Sequence, residues 1–355
     1  MEKKEVQKQI VEKNIKNEKA TEEEFFNVLR IVAPGTNLRA ALDGALKTGK
    51  GALILTENNL TSALFEGGFR INARFTPQKL VELAKMDGAI ILSNDMKRIS
   101  YANVLLTPDS KIPTHETGTR HKAAERTARQ AGTLAIAISE RKNEITLYYK
   151  NIRYPLVQTD ELLRKSNENI QLLEKQRDLF DKQVAKLDAH EIKSSPNLKQ
   201  AINVIQKGRV ILKITEDLTK SLIELGREGA LLRMWLREMI TGVEKETEFV
   251  IKDYTKLDVK RTKFLLGEMS YDSVLDEESI VKILGYETIA SPTSARGWRI
   301  LSRTSLSDSE IAKLFKEIPT IREILSSSQE VYSNSLGTEK AEILKEELKK
   351  IRSVI

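Results

Sequence analysis

Basic residues are concentrated at one predicted helix start, in the stretch ETGTRHKAAERTA of residues 116–128. Arg120, His121 and Lys122 follow one another directly, and the first acidic residue after them is Glu125. The free backbone N–H groups of a first helical turn already make that end electropositive, so Asp or Glu is usual there. Basic side chains at this end disfavour the ligand-free fold and favour a bound anion such as a polyphosphate.

The residues of the preceding turn suit the same interpretation. Gly118 lets a backbone approach closely, and Thr117 or Thr119 can either cap the helix or donate a hydroxyl group. An ordinary basic helix on the protein surface would explain the same residues. The local sequence leaves both interpretations open.

A second candidate is Asp87, which lies in ELAKMDGAIILSND between a helix pattern and an apolar strand pattern. A carboxylate at a strand entrance, followed by the permissive Gly88, can hold a divalent cation through oxygen. Alternatively Asp87 is a turn residue, which is the commoner use of Asp-Gly. Together with the basic helix start, Asp87 indicates metal-assisted phosphoryl or nucleotidyl transfer.

Both candidates lie in residues 21–150, where strand and helix patterns alternate. The predicted strands are the apolar runs ALIL (52–55), GAIIL (88–92), ANVLL (102–106), TLAIAIS (133–139) and ITLYY (145–149). The predicted helices are the amphipathic stretches EEFFNVLRIV, NLRAALDGALKTG, TPQKLVELAKM and TRHKAAERTARQAG. These patterns predict an α/β domain with a mixed sheet and flanking helices.

The remaining sequence predicts three further segments. In residues 151–287 Leu and Ile recur at three- and four-residue spacing, which predicts a helical spine, and Ser194-Ser195-Pro196 should turn one long helix back onto the next. Residues 288–355 open with ASPTSARGW and then carry short helical patterns, which predict a small all-α module. Residues 1–20 form a charged N-terminal extension.

Composition narrows the class of protein. There are no cysteines, which excludes a disulfide framework and a thiolate metal site, and three scattered histidines give no zinc signature. The net charge of +7 lies mainly in residues 21–150 and gives weak support for a polyanionic partner. The chain has neither a secretory signal pattern nor an apolar run of the ~18–20 residues that cross a bilayer. We therefore expect a soluble cytoplasmic protein without membrane association.

The motifs KMDGAI, YANVLL and ETGTRHKAAER resemble the diadenylate cyclase domain, whose signatures are Asp-Gly-Ala and a Gly-Thr-Arg-His-Arg run. LYYKN, LGY and SARGWRIL, followed by a terminal segment similar to a helix–hairpin–helix, extend the resemblance to the family of DNA integrity scanning proteins. That family joins a cyclase domain, a helical spine and a DNA-binding module. The resemblance covers nearly all of residues 21–355.

This resemblance implies that two ATP molecules are condensed into cyclic di-AMP with release of pyrophosphate. Asp87 would bind Mg²⁺ or Mn²⁺ and help to activate a ribose 3′-hydroxyl as the nucleophile. The residues implied to contact the nucleotide are Gly88, Leu106, Thr119, Arg120, His121, Lys122 and Ala123, of which Thr119 to Lys122 would hold the phosphates. The family mechanism needs two facing cyclase domains, which implies a homo-oligomer, an octamer in this family.

Two residues depart from the family pattern. Lys122 replaces the second arginine of Arg-His-Arg, which keeps the charge but loses the planar bidentate fork. Ala123 replaces the usual threonine and lacks its hydroxyl. We expect activity to survive, at most reduced; the alternative is a catalytically weakened nucleotide-binding sensor or DNA-binding scaffold.

The same resemblance implies DNA contacts by Ser335, Gly337, Thr338 and Lys340. A helix–hairpin–helix presents the backbone amides of a Gly-x-Gly hairpin to a phosphate and does not read bases. Here the hairpin is Ser335-Leu336-Gly337, so one glycine is missing, and acidic residues nearly balance the lysines that follow. We predict salt-sensitive, sequence-independent binding to branched DNA; the alternative is a residual packing module.

Overall fold

The computed structural model describes residues 20–193 and 195–354. The chain forms two compact units, one of which comprises the residues up to Lys165 together with Lys220–Leu231. The other comprises Ser166–Thr219 and the residues from Leu232 onward. Residues 1–19 of the predicted extension and Ser194 of the predicted turn lie outside the described residues. The division into four segments at residues 20, 150 and 287 stays a prediction.

The first unit is built on one mixed sheet of eight strands. They are β1 (Ala52–Thr56), β2 (Phe65–Glu66), β3 (Phe69–Arg74), β4 (Ala89–Leu92), β5 (Arg98–Leu106), β6 (Leu134–Ser139), β7 (Glu144–Tyr149) and β8 (Ile152–Pro155). Their order is β2-β5-β4-β1-β6-β7-β8, with β3 also paired to β5. β1 pairs with β4 in parallel, and the other pairs described are antiparallel. The predicted mixed sheet is confirmed.

Helices cover both faces of this sheet. They are α1 (Glu22–Ile31), α2 (Asn37–Lys47), α3 (Pro77–Leu83) and α4 (Thr119–Ala131). Leu42 and Ile54 belong to the apolar cluster beneath α1 to α3, whereas Leu53 belongs to a second cluster with Ala124 and Ala128 of α4. Because successive strand residues enter opposite clusters, the strands are apolar throughout. The small alanine side chains let α4 lie close to the sheet.

The strand directions bring distant parts of the sequence to one edge. Leu53 pairs with Ala89, so the parallel strands β1 and β4 begin side by side. Ala52 pairs with Ile138, so the antiparallel strand β6 ends at the same edge. α4 leads directly into β6 and therefore begins near this edge. The segments before β1 and β4 and the start of α4 consequently meet there.

The described residues after Pro155 form helices and connecting segments only, which confirms the predicted helical region. The helices are α5 (Thr159–Ile192), α6 (Leu198–Glu224), α7 (Ala230–Ile240), α8 (Val243–Tyr254), α9 (Val259–Gly267), α10 (Tyr271–Leu275), α11 (Glu277–Ile283), α12 (Trp298–Leu301), α13 (Asp308–Glu317), α14 (Ile321–Ser326), α15 (Gln329–Leu336) and α16 (Thr338–Val354). Within residues 20–193 and 195–354, none of these helices has both the length and the apolar character needed to cross a membrane.

Buried charges fix the short helix α12 within the second unit. The guanidinium of Arg299 is fully buried and pairs with Asp188, with Glu191 at 2.5 Å and with Glu246 at 3.0 Å. Arg303 pairs with Asp188 and Glu246 from a more exposed position. One arginine therefore neutralises carboxylates from both α5 and α8.

The backbone of α12 is held by a further carboxylate. Buried Asp253 of α8 accepts hydrogen bonds from the N–H groups of Gly297, Trp298 and Arg299, at 2.9, 2.7 and 3.0 Å. These bonds satisfy donors at a helix start that has no side-chain cap of its own. The segment SARGWR is thus tied to α8 through its backbone at residues 297–299 and through the side chain of Arg299.

Candidate active site

Asp87 and Arg120 meet at the edge where β1, β4 and α4 begin. An Arg120 guanidinium nitrogen (Nη2) lies 3.9 Å from Asp87 Oδ1, and the Asp87 side chain is fully exposed. Among the residues described, Asp87 makes no hydrogen bond through its side chain, and Arg120 is its one ion-pair partner. An exposed pair at this distance holds weakly. Both groups can therefore turn to a ligand at little cost.

Gly88 sets the position of Asp87. Its φ angle is +83°, which glycine adopts readily, and an added Cβ would lie 2.8 to 2.9 Å from backbone atoms of Asn103. Asn103 itself has a φ angle of +54° and lies where the register between β4 and β5 shifts. This close contact between two strands fixes the turn that presents Asp87 at the sheet edge.

Gly51 makes room for Arg120, and the sequence patterns did not point to it. A Cβ at Gly51 would lie 2.4 Å from Arg120 Nη1 and 3.1 Å from the carbonyl oxygen of Ile138. The guanidinium therefore rests directly on the backbone before β1. Since glycine carries no functional group, only the close approach, visible in three dimensions, identifies this residue as part of the site.

The start of α4 lacks the usual capping groups. Gly118 is the N-cap residue, no side chain caps the helix there, and the first turn has no acidic residue. Of the two alternatives for Thr117 and Thr119, capping is therefore not used. Burial lowers the pKa of His121 below its ordinary value of 6.5, although the charge of Glu116 opposes this shift. At neutral pH the positive side chains at this helix start are those of Arg120 and Lys122.

The basic residues farther along α4 are structural. Arg126 Nε donates to the carbonyl of Ile112 at 2.9 Å, and Arg129 Nη1 donates to that of Pro113 at 2.7 Å. Arg129 also pairs at 2.6 Å with Glu125, which is buried. These contacts hold the loop before α4 against the helix. Arg126 and Arg129 therefore do not support the alternative interpretation of an ordinary basic helix on the protein surface.

The other predicted nucleotide contacts lie on the α4 side of the sheet. Leu106, at the end of β5, is buried in the apolar cluster that contains Ala124 and Ala128, and Ala123 packs against that cluster. Thr119 is exposed at the first position of α4. Leu106 and Ala123 therefore belong to or pack against one apolar cluster on the α4 side of the sheet.

Comparison with known proteins places this geometry in a family. The model of the "DisA bacterial checkpoint controller nucleotide-binding" family matches residues 39–152, and that of the "DisA bacterial checkpoint controller linker region" matches residues 156–292. "DNA integrity scanning protein DisA" of Symbiobacterium thermophilum is 38% identical over 336 residues, covering 92% of this chain and 96% of that protein. The chain belongs to the DisA family.

Two further DisA relatives agree. The protein of Clostridium kluyveri is 37% identical over 346 residues, covering 94% of this chain and 97% of the relative. That of Carboxydothermus hydrogenoformans is 39% identical over 343 residues, with 93% and 97% covered. The predicted resemblance is confirmed, and the DisA nucleotide-binding match contains every candidate residue from Gly51 to Ala123.

The DisA site offers one carboxylate to a metal ion. Within residues 20–193 and 195–354 there is no cluster of three or more His, Cys, Asp or Glu side chains that could hold a metal. Asp87 alone cannot complete a coordination shell. It fits Mg²⁺ or Mn²⁺ if water and nucleotide phosphates supply the other ligands, as is common for Mg²⁺.

The predicted DNA contacts lie around Gly337, the single residue between α15 and α16 of this DisA chain. The hydroxyl of Ser335 donates to Glu317, and the ammonium of Lys340 pairs with Glu310. The Gly337 N–H donates to the Ser333 carbonyl at 3.0 Å, and Thr338 begins α16. Acidic neighbours therefore occupy two of the four predicted contacts.

Proposed function

We propose that this chain is a diadenylate cyclase that condenses two ATP molecules into cyclic di-AMP and two pyrophosphates. The observation that carries the proposal is the meeting of Asp87 and Arg120 at 3.9 Å beside the uncapped start of α4. A carboxylate for a hard cation next to a cationic phosphate site is what nucleotidyl transfer requires. Membership of the DisA family and the nucleotide-binding match support it.

The proposed residue roles follow from their chemistry. Asp87 holds Mg²⁺ or Mn²⁺, which when bound acidifies the ribose 3′-hydroxyl and neutralises phosphate charge. Arg120, Lys122 and the first amides of α4 bind the phosphates. Thr119 adds a hydroxyl to the phosphate site, and Gly88, Leu106 and Ala123 line the nucleotide pocket. Each 3′-oxygen bonds to the other nucleotide's α-phosphorus as the bond to pyrophosphate breaks.

The proposal requires two copies of the chain. One α4 start and one Asp87 serve one ATP, whereas the product contains two nucleotides joined symmetrically. Two sites must therefore face each other, and the isolated chain should be inactive. We propose a homo-oligomer, an octamer by analogy with the family, and light scattering of the purified protein measures its mass.

The direct test incubates the full-length protein with ATP and Mn²⁺ or Mg²⁺ and separates the products by chromatography. We expect cyclic di-AMP with two pyrophosphates per product molecule, and none when EDTA removes the metal. Binding of ATP without any product would refute the cyclase proposal. It would favour the alternative of a nucleotide-binding sensor, which the departures from the family pattern at Lys122 and Ala123 support.

We propose further that α15 and α16 bind DNA through the backbone around Ser335, Gly337 and Thr338 and through Lys340. The one-residue connection between the two helices supports this proposal. Because Glu310 holds Lys340, the variant Glu310→Gln should bind a branched DNA junction severalfold more tightly than wild type, and Lys340→Gln more weakly. Gel shifts at low and high salt measure both effects, since phosphate contacts weaken with salt.

Glutamine at position 310 keeps the helix cap. Glu310 accepts from the Ser307 N–H at 2.9 Å, and a glutamine oxygen can take over that contact. A change in affinity is therefore an effect of charge and not of unfolding. If neither variant retains the junction at low salt, the DNA-binding proposal is wrong and the terminal helices are a packing module.

A further inference from the structure

Four side chains form a continuous hydrogen-bonded relay that reaches the start of α4. His121 Nδ1 lies 2.8 Å from the hydroxyl oxygen of Tyr148, which is fully buried on β7. That hydroxyl donates to Glu116 Oε1 at 2.8 Å. Arg153 Nε on β8 donates to the same oxygen at 2.5 Å. The relay therefore runs from Arg153 through Glu116 and Tyr148 to His121.

The direction of each hydrogen bond follows from the groups involved. Burial alone would raise the pKa of Glu116, but the hydrogen bonds from Arg153 and Tyr148 and the charge of Arg153 lower it below its usual value. Glu116 is thus an ionised acceptor. Burial and Glu116 raise the pKa of Tyr148 well above 10, so the hydroxyl keeps its single proton and donates a hydrogen bond to Glu116. The Tyr148 oxygen must therefore accept from His121, whose Nδ1 carries the proton.

The second ring nitrogen, Nε2, is then the free one. Burial lowers the pKa of His121, and the charges facing it oppose one another: Glu116 and Glu144 raise the value, whereas Arg153 and Lys142 lower it. The neutral ring has a lone pair on Nε2, which bonds to no group in the described part of the chain. The adjacent carbon Cδ2 lies 3.6 Å from where a Cβ on Gly118 would be, so this edge of the ring faces the helix start.

We propose that Glu116, Tyr148 and Arg153 are positioning residues that hold His121 as the Nδ1–H tautomer, leaving Nε2 to accept a proton at the cyclase site. The inference rests on the proposed function. The 3′-O–H bond breaks as oxygen bonds to the α-phosphorus, the proton moves to Nε2, and pyrophosphate leaves with the electron pair. His121 is then a proton acceptor and not the phosphate-binding cation that the family resemblance implies.

The electrostatics suit this role. A bound triphosphate adds negative charge near the ring and raises the pKa of His121 back toward neutrality, where a general base is most effective. Once protonated, the imidazolium keeps its hydrogen bond to Tyr148, and the negative charge of Glu116 lies behind that hydroxyl. Hydrolase triads also orient a histidine base with a carboxylate, there by a direct hydrogen bond and here through the Tyr148 hydroxyl.

The variant Tyr148→Phe tests the relay by removing the hydroxyl and keeping the ring. We expect kcat to fall about 10-fold to 100-fold with the KM for ATP nearly unchanged, since base positioning acts on the chemical step. Glu116→Gln removes a charge that raises the pKa of His121. The acidic limb of its pH–kcat profile should therefore move to lower pH. Tyr149→Phe is the matched control, because Tyr149 packs in the cluster on the opposite face of the sheet and should leave both measures unchanged.

Solid-state NMR of sedimented protein with ¹⁵N-labelled histidine reads the tautomer without any turnover. The chain has three histidines, and the signal missing from His121→Asn identifies that of His121. We expect Nδ1–H in wild type and a tautomer mixture in Tyr148→Phe. A wild-type Nε2–H tautomer would overturn the relay even in an active enzyme.

Other outcomes separate the two proposals. If wild type has the Nδ1–H tautomer and makes cyclic di-AMP, but Tyr148→Phe keeps its kcat and pH profile, the relay is structural only and the inference is wrong. If wild type makes no cyclic di-AMP, the proposed function fails and the proton-acceptor role fails with it. The NMR signal still shows in that case whether His121 is held as inferred.

Discussion

Replacing Asp87 with asparagine should lower the rate of cyclic di-AMP formation by about 10²–10³-fold, the usual loss when one electrostatic group is removed from a reacting centre. An amide is a poor, uncharged ligand for Mg²⁺ or Mn²⁺. Folding should be unaffected, because the side chain is fully exposed and its only ion-pair contact within the described chain is the one with Arg120. Affinity for metal-free ATP should not fall, since the lost carboxylate repels the triphosphate. Initial rates by chromatography and ATP titration by calorimetry measure the two effects.

The matched control for this variant is Glu82→Gln. Glu82 of α3 is also an exposed carboxylate in an ion pair, at 2.6 Å from Lys85, and its loss changes the net charge equally. We expect this control to keep the wild-type rate. If Asp87→Asn also keeps it, the role proposed for Asp87 is wrong. A wild type that binds ATP without Asp87-dependent product would instead be a sensor.

Replacing Arg299 with alanine should destabilise the second unit by ~3–5 kcal/mol, the typical loss when one partner of a buried ion pair is removed. The carboxylates of Asp188, Glu191 and Glu246 would then face one another without their shared cation. Urea unfolding followed by tryptophan fluorescence measures the loss. Both tryptophans of the chain, Trp235 and Trp298, lie in this unit, so the signal reports on it alone.

The pH dependence of this loss has a definite sign. Burial already raises the pKa of Glu191, and without Arg299 the orphaned acids hold their protons more tightly still. An acid whose native pKa lies above its unfolded value costs stability as pH rises between the two. The Arg299→Ala defect should therefore grow with pH. Arg303→Ala, which removes a partly exposed arginine from two of these acids, Asp188 and Glu246, should cost much less. Equal losses would contradict the importance of burial.

Sequence patterns predicted the central strands and the flanking helices but missed β2, β3 and β8. The predicted runs became β1 and β4 to β7, whose residues are apolar because helices cover both faces. The missed strands lie at the sides of the sheet. In β3 exposed and partly buried positions alternate, and Phe69 is largely exposed, so the segment has no apolar run to detect.

The residues of the candidate site likewise comprise some that the sequence pointed to and others that it did not. Arg120 could be singled out because a helix start disfavours its positive charge, and Asp87 because its carboxylate stands at the entrance of an apolar strand. Glu116, Tyr148 and Arg153 could not, because each looks ordinary in its own stretch. The pairing of β7 with β8 places Arg153 beside Tyr148, and the packing of α4 on the sheet brings His121 and the preceding Glu116 to them. The sequence placed His121 among the basic residues of this helix start, whereas burial of its ring lowers its pKa, and that burial depends on the same packing.

Gly51 shows how folding and activity can depend on different atoms at one position. An alanine there would displace the tip of a flexible arginine and press on the Ile138 carbonyl by a few tenths of an ångström, so the chain should still fold. The Arg120 guanidinium would nevertheless be displaced from its position against the backbone of residue 51. We therefore expect such a variant to keep its thermal stability and to lose turnover. In this protein a hydrogen atom in place of a methyl group decides where the guanidinium of Arg120 lies.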